Sequence, residues 1–327
     1  MRYIDSARTV AEKRLAEMEK NISAIYKDGV GNVTKDWVGY LKAQKGKLAA
    51  LQKEYTAQKT AGNTKEARKI GDQLARKKAS LTLKDAHYQD LTEETAVKMT
   101  GLNMKALAVA NAVLPAIYAI SYNAVEPTIS ALPAFGIGIT FDLVDESTVK
   151  YLMSKDPTLV PLKTLNKYKD IAWNKKQMNS AVLQGILQGE SIDKIAERLY
   201  PIVDNNASAA IRNARTMATS AENKGRQDSY DDLKEQGVVL HKVWMATHDQ
   251  RTRDSHALMD GEEVDVDDVF SNGLEYPGDP AGEPEEVYNC RCTMVTRIIG
   301  FENPDGSIEP VKMRGYNPDY NFPQLED

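Results

Sequence analysis

A chain of 327 residues, 42% hydrophobic and 27% charged, is long enough for two or three domains and has the composition of a soluble globular protein. The formal charge of −5 hides a gradient: residues 1–90 carry 19 Lys/Arg against 11 Asp/Glu, whereas residues 260–327 carry 4 against 17. The two cysteines, Cys290 and Cys292, are one residue apart and cannot staple distant elements, which excludes a disulfide-built secreted domain.

Met1-Arg-Tyr-Ile-Asp-Ser6 has no apolar core of the signal-peptide kind, so synthesis in the cytoplasm is expected. Tyr3, Ala7, Val10, Ala11, Leu15, Met18, Ile22 and Ile25 then recur at steps of three and four, the stripe of an amphipathic helix. Asp28-Gly29 and Gly31-Asn32 are expected to end it, with Thr34 or Asp36 capping a second helix whose stripe is Trp37, Leu41, Leu48, Leu51 and Tyr55. Ala61-Gly-Asn63 breaks the chain again before a third helix with Ala67, Ile70, Leu74 and Leu81 inward. Loops this short imply antiparallel helical hairpins or a small bundle. The surplus of Lys and Arg reads first as a solvated face and second as a basic arm near nucleic acid or an acidic partner.

Another helix is expected from Thr92 into an uncharged run, Ala106 to Val125, with a break near Pro115. The run is long enough to span a membrane, but Asn111, Pro115, Ser121, Tyr122 and Asn123 make a buried helix the better reading. An irregular segment near 126–141 and a short strand over Ile137–Val144 follow, then a helix capped near Asp145. Asp156-Pro157 and Pro161 mark a linker. Beyond it, Asn174–Gln188 reads as a helix stopped at Gly189, Ser191 as the N-cap of a short helix stopped by Pro201, and Ala207–Glu235 as a long helix with a break near Gly225. Val238–Ala246 and Glu286–Ile299 are β-favouring and flank a helix around Thr252–Met259. The fold class is therefore α+β and mostly helical. Its divisions are a helical docking arm at 1–160, a helical region at 161–236, a small α/β module at 237–300, and an extended acidic tail at 301–327.

Reactive side chains concentrate between Lys242 and Arg297. In a strand Cys290 and Cys292 would share a face, and with His248 or His256 they compose a candidate zinc site. One intervening residue is short for shared coordination, which counts against zinc. Acid–base chemistry by His248 or His256 with Asp249 is the second candidate, on a phosphodiester held by Arg251, Arg253 or Arg291. The plainest reading is a structural network of Arg–carboxylate and His hydrogen bonds around buried thiols. No cofactor is favoured.

Further residues give the block an identity. From Ile211 to Arg297 the order is Ala214-Arg215-Thr216, Ala221, Asn223, Gly225, Trp244, Asp249, Arg251, Arg253, His256, Gly261, Phe270, Pro277-Gly-Asp-Pro280 and Asn289-Cys290-Arg291-Cys292. In this order and spacing the chain resembles the phage Mu F-like minor head proteins, also called phage head morphogenesis proteins. The resemblance implies a virion component of a tailed phage or prophage, associated with the portal and with capsid or scaffolding protein during head assembly and DNA packaging or exit. Beside it, the motif residues are read as structural, and an enzyme is not expected, with catalysis in the C-terminal module left as an alternative. Some relatives carry a toxin or enzyme domain after this block, and about thirty residues after Arg297 are too few for one. The rivals are a metal-dependent or nuclease-like enzyme and a membrane-active ejection protein.

Overall fold

Long helix-forming stretches dominate the chain, and the computed structural model, which describes residues 2–83, 86–125, 141–160, 162–188, 190 and 192–311, is mostly helical with one small antiparallel sheet. Helix α1 spans Arg2–Thr60, α2 Thr64–Leu83 and α3 Ala86–Tyr122, with a 3₁₀ turn at Asn123–Val125. Next come α4 (Glu146–Lys155), α5 (Lys167–Leu187), α6 (Ile192–Glu197) and α7 (Tyr200–Glu235). The C-terminal part contains β1 (Val238–Met245), α8 (Asp254–Leu258), β2 (Glu263–Asp265), α9 (Pro284–Val287), β3 (Thr293–Glu302) and β4 (Ile308–Pro310).

These elements form two compact units, each discontinuous in sequence. One comprises Met1–Glu19, Val109–Lys163 and Arg212–Asp327; the other comprises Lys20–Ala108 and Thr164–Ile211. In the second unit Trp37 is fully buried, packs edge-on against Tyr40 and Tyr88, and donates through Nε1 to Thr95 Oγ1 at 3.1 Å. The same unit contains a polar knot. Asp170 accepts from Thr100 at 2.7 Å, Asn103 at 2.9 Å and Asn174 at 3.0 Å, and Asn206 accepts from Asn103 at 2.8 Å.

In the first unit the sheet order is β2-β1-β3-β4, all antiparallel, with Trp244 opposite Met294 and a register irregularity between Val239 and Leu240. Its core gathers Leu233, Trp244, Phe270, Leu274, Met294 and Phe301 with both cysteines.

Several boundaries differ from the sequence expectations. Helix α1 runs through Asp28-Gly29 and Gly31-Asn32, because packing overrides local turn preference. At Gly29 a Cβ would lie 2.4 Å from Leu102 Cδ1, so that glycine permits close packing and ends nothing. Thr34, inside the helix, bonds back to the Val30 carbonyl at 3.0 Å in place of capping. Likewise α3 starts before Thr92 and continues past Pro115, held by buried Leu114, Ile117 and Tyr118. One missing donor is tolerated when both flanks are packed. Pro201 opens α7 instead of stopping a helix, since the first turn needs no N–H partner. No break occurs at Gly225, where a Cβ would lie 2.5 Å from the Tyr118 carbonyl oxygen. The second expected strand begins only at Thr293, because Pro284 starts a short helix in its first half. Phe301 and Glu302 belong to β3 and turn into β4, so the tail begins as a hairpin and not an arm. Phe141–Val144 is not strand. The rest of the 126–141 segment up to Thr140, together with Gly189, Ser191 and 312–327, lies outside the described residues.

By length and composition alone, Ala86–Val125 could cross a membrane, and 44% of its most apolar window is buried inside the protein.

Candidate functional site

The site is built on one face of α7. Thr216, Thr219, Asn223 and Gln227 follow at helical spacing, a polar stripe on a buried helix. Buried polar groups are costly unless bonded, and each of these reaches a loop. Thr219 donates to the Cys290 carbonyl at 2.8 Å, and Gln227 to the Val266 carbonyl at 3.1 Å. Asn223 donates to the carbonyls of Pro277 at 3.0 Å and Cys292 at 3.2 Å, and accepts from the Met294 N–H at 3.1 Å. Thr216 accepts from the Asn289 N–H at 3.1 Å. Asn289 itself has φ 58°, a left-handed conformation that asparagine tolerates and most residues avoid. The cysteines follow this turn in irregular chain before β3, and not on a strand face as expected.

At the centre stand His256, Cys290 and Cys292, exposed by only 1%, 1% and 3%. Helix α8 supplies His256, whose ring meets Trp244 edge-on at 5.3 Å. Its Nδ1 lies 3.7 Å from Cys290 Sγ and 3.4 Å from Cys292 Sγ. On the other side Nε2 lies 2.8 Å from Glu286 Oε2, a carboxylate from α9. The bond from Cys290 holds the Cys292 thiol well below the usual thiol range, and the same bond pushes Cys290 up. Burial pulls His256 down, but its bonds to Cys292 and Glu286 more than offset this, so it is raised.

Charged residues tie the surrounding loops. Asp249 receives both Arg291 nitrogens, at 2.5 and 2.6 Å, and the Arg251 N–H at 2.9 Å. Arg291 first and that N–H second hold its carboxyl well below the usual carboxylate range. The Arg251 side chain is mostly exposed, 3.6 Å from Asp249. Arg253 donates to the Tyr288 carbonyl, and Arg215 pairs with Glu19 through two bonds of 2.5 and 2.8 Å. Gly261, at φ 81°, donates to the Trp244 carbonyl at 2.8 Å in the turn before β2. His248 stands apart from the thiols, exposed and 3.2 Å from Asp260.

Of the residues singled out from the sequence, the structure brings His256, Cys290 and Cys292 together, pairs Asp249 with Arg291, and leaves Arg251 and His248 at the surface. Sequence reasoning missed Thr219, Gln227, Glu286 and Lys242 as participants. Lys242 is fully buried, donates to Gln227 Oε1 at 3.2 Å and the Glu275 carbonyl at 2.8 Å, and is lowered by burial. A lysine facing inward from an apolar strand, and a polar stripe on a helix with buried alanines, were the available signals. An open polar cleft of about 610 Å³ lies nearby, lined by Gln227, Asp231, Lys234, Glu235, Val266, Asp267 and Glu275. None of the candidate acid–base residues lines it.

Comparison with known proteins finds similarity over part of the chain. Residues 176–295 match the family described as phage Mu protein F like protein. The NAD(+)--arginine ADP-ribosyltransferase EFV of Enterococcus faecalis is 35% identical over 142 residues, 42% of this chain and 28% of that protein. Minor head protein GP7 of Bacillus phage SPP1 is 29% identical over 147 residues, 42% of this chain and 47% of that protein. The chain thus spans less than half the length of either relative. No solved structure matches.

Proposed function

We propose that the chain, whose residues 176–295 match the phage Mu protein F like family, is a structural minor head protein of a tailed phage or prophage. The observation that carries the reading is the family match joined to the similarity with a protein named as a phage minor head protein. In this reading the protein joins the portal and the capsid or scaffolding protein during head assembly and resides in the head. The bonds of Arg215, Thr216, Asp249, Arg253, Asn289 and Arg291 then serve to hold the loops of the module in one shape. Mass spectrometry of purified virions and procapsids tests this: a few copies per particle are expected, and absence from both overturns it. Contact of the basic residues 1–90 with packaged DNA belongs to the same proposal. It requires an affinity that falls steeply with salt, and a flat response removes it.

The similarity to an ADP-ribosyltransferase favours a second reading, catalysis. Against it stand the burial of His256 and both thiols and the saturation of Asp249 by Arg291. Transfer of ADP-ribose from NAD⁺ to arginine by the purified chain would establish the second reading; a blank assay leaves the first.

A further inference from the structure

We propose that His256, Cys290 and Cys292 hold a structural Zn²⁺ ion through Nδ1 and the two Sγ atoms. The three ligand atoms lie within 4.8 Å of one another and all three residues are buried. Tetrahedral zinc, with bonds of about 2.3 Å to sulfur and 2.0–2.1 Å to nitrogen, sets each N···S separation at about 3.5–3.6 Å. The observed separations are 3.7 and 3.4 Å. Hydrogen bonding explains this arrangement less well. Whether the ring is neutral or charged, Nδ1 offers one in-plane lone pair or one proton and so serves one sulfur, yet the second sulfur stands almost as near, at 3.7 against 3.4 Å.

A second, independent feature lies on the far side of the ring. Glu286 Oε2 accepts from Nε2 at 2.8 Å, which fixes the tautomer and presents Nδ1 as the ligating atom. Metal-bound histidines usually make such a carboxylate bond through the other nitrogen. Charge also favours a divalent ion. Two thiolates neutralise Zn²⁺, so the buried set carries no net charge, whereas a monovalent copper ion would leave a buried negative charge.

The one-residue gap counted against shared coordination, yet both thiols reach the same ring nitrogen, at 3.7 and 3.4 Å. The turn at Asn289 permits this, because the cysteines sit in irregular chain. Three protein ligands are one short of the usual closed set, so the proposal assigns the fourth position to a water molecule.

The test uses the full chain without a polyhistidine tag, purified without chelators and analysed by elemental mass spectrometry. About one zinc per chain is expected, falling to none in Cys290→Ala and Cys292→Ala. Because those variants can fail to fold, wild-type protein stripped by denaturation in chelator and refolded with Co²⁺ gives a separate reading. Thiolate-to-cobalt charge-transfer bands and tetrahedral d–d bands are expected. A folded wild-type chain that has negligible zinc as purified and shows no such bands overturns the proposal, as does stoichiometric copper in place of zinc.

Discussion

Asn223 joins α7 to the loop at Pro277, to the Cys292 carbonyl and to the start of β3, and it is fully buried. Replacement by alanine leaves several backbone groups without partners inside the protein, which should cost about 2–4 kcal/mol. Denaturant unfolding followed by near-UV circular dichroism checks this; an unchanged midpoint would show that the stripe contributes little. Asp231 makes a different prediction. Burial first, with the charge of Asp228 behind it, pushes its carboxyl up to about 6. A raised carboxyl contributes stability that is fully present below its unfolded value near 3.8 and lost as pH rises through about 6. Asp231→Asn keeps the bond from Gln227, at 3.0 Å in the native protein. It should therefore stabilise the fold by on the order of 1–2 kcal/mol at pH 7 and by nothing at pH 3.5. Thermal melts of both proteins at the two pH values decide it. At this scale the sequence was informative where side chains are rare: two close cysteines, a histidine, and Asp249 with its arginines. It was silent on Thr219 and Glu286, ordinary residues whose roles come from partners 71 and 30 positions away.

The helices were legible as periodic stripes, and their ends were not. Glycine and proline were read as breakers at positions 29, 115, 201 and 225, yet all four lie inside helices. Local preference is worth about 1 kcal/mol for glycine, less than the packing of a buried helix face contributes. The same comparison separates two substitutions. In Gly225→Ala the new Cβ meets the Tyr118 carbonyl oxygen at 2.5 Å and the Tyr122 nitrogen at 3.2 Å, both backbone atoms. Overpacking should outweigh the gain in helix preference, for a net loss of about 1–3 kcal/mol. Gly31→Ala meets nothing within 4 Å, and should stabilise by about 0.5–1 kcal/mol. Melting temperatures that move in opposite directions bear this out; a rise for Gly225→Ala would refute the close-approach argument. The strand error has a similar cause: Glu286–Ile299 has β composition throughout, but Pro284 and the turn at Asn289 take its first half away.

At the scale of the molecule, the α+β class could be read from the change of periodicity after Gly237, whereas the discontinuous units could not. Their joining pairs, such as Glu19 with Arg215, lie 196 residues apart, and nothing local announces them. The unit that holds the sheet also includes Met1–Glu19 and Val109–Lys163. A fragment of residues 212–327 therefore loses Glu19 for Arg215, Tyr118 for Asp228 and Tyr122 for Asp232. It should lack a cooperative thermal transition and bind a hydrophobic dye, while the full chain does neither. A sharp transition in the fragment would show that the sheet and α7 fold alone.

The Thr219 bond to the Cys290 carbonyl, across 71 residues, also places the assembly of the site in time. A ribosome adds about 5–20 residues each second, so Thr219 is made roughly 4–14 s before Cys290. For that interval Thr219 and Asn223 have only water or a chaperone to bond. Glu19 waits longer still for Arg215. The module therefore closes after translation of its last loop, and a ribosome stalled between Gly237 and Cys290 would hold a nascent chain whose long helix is open to proteases.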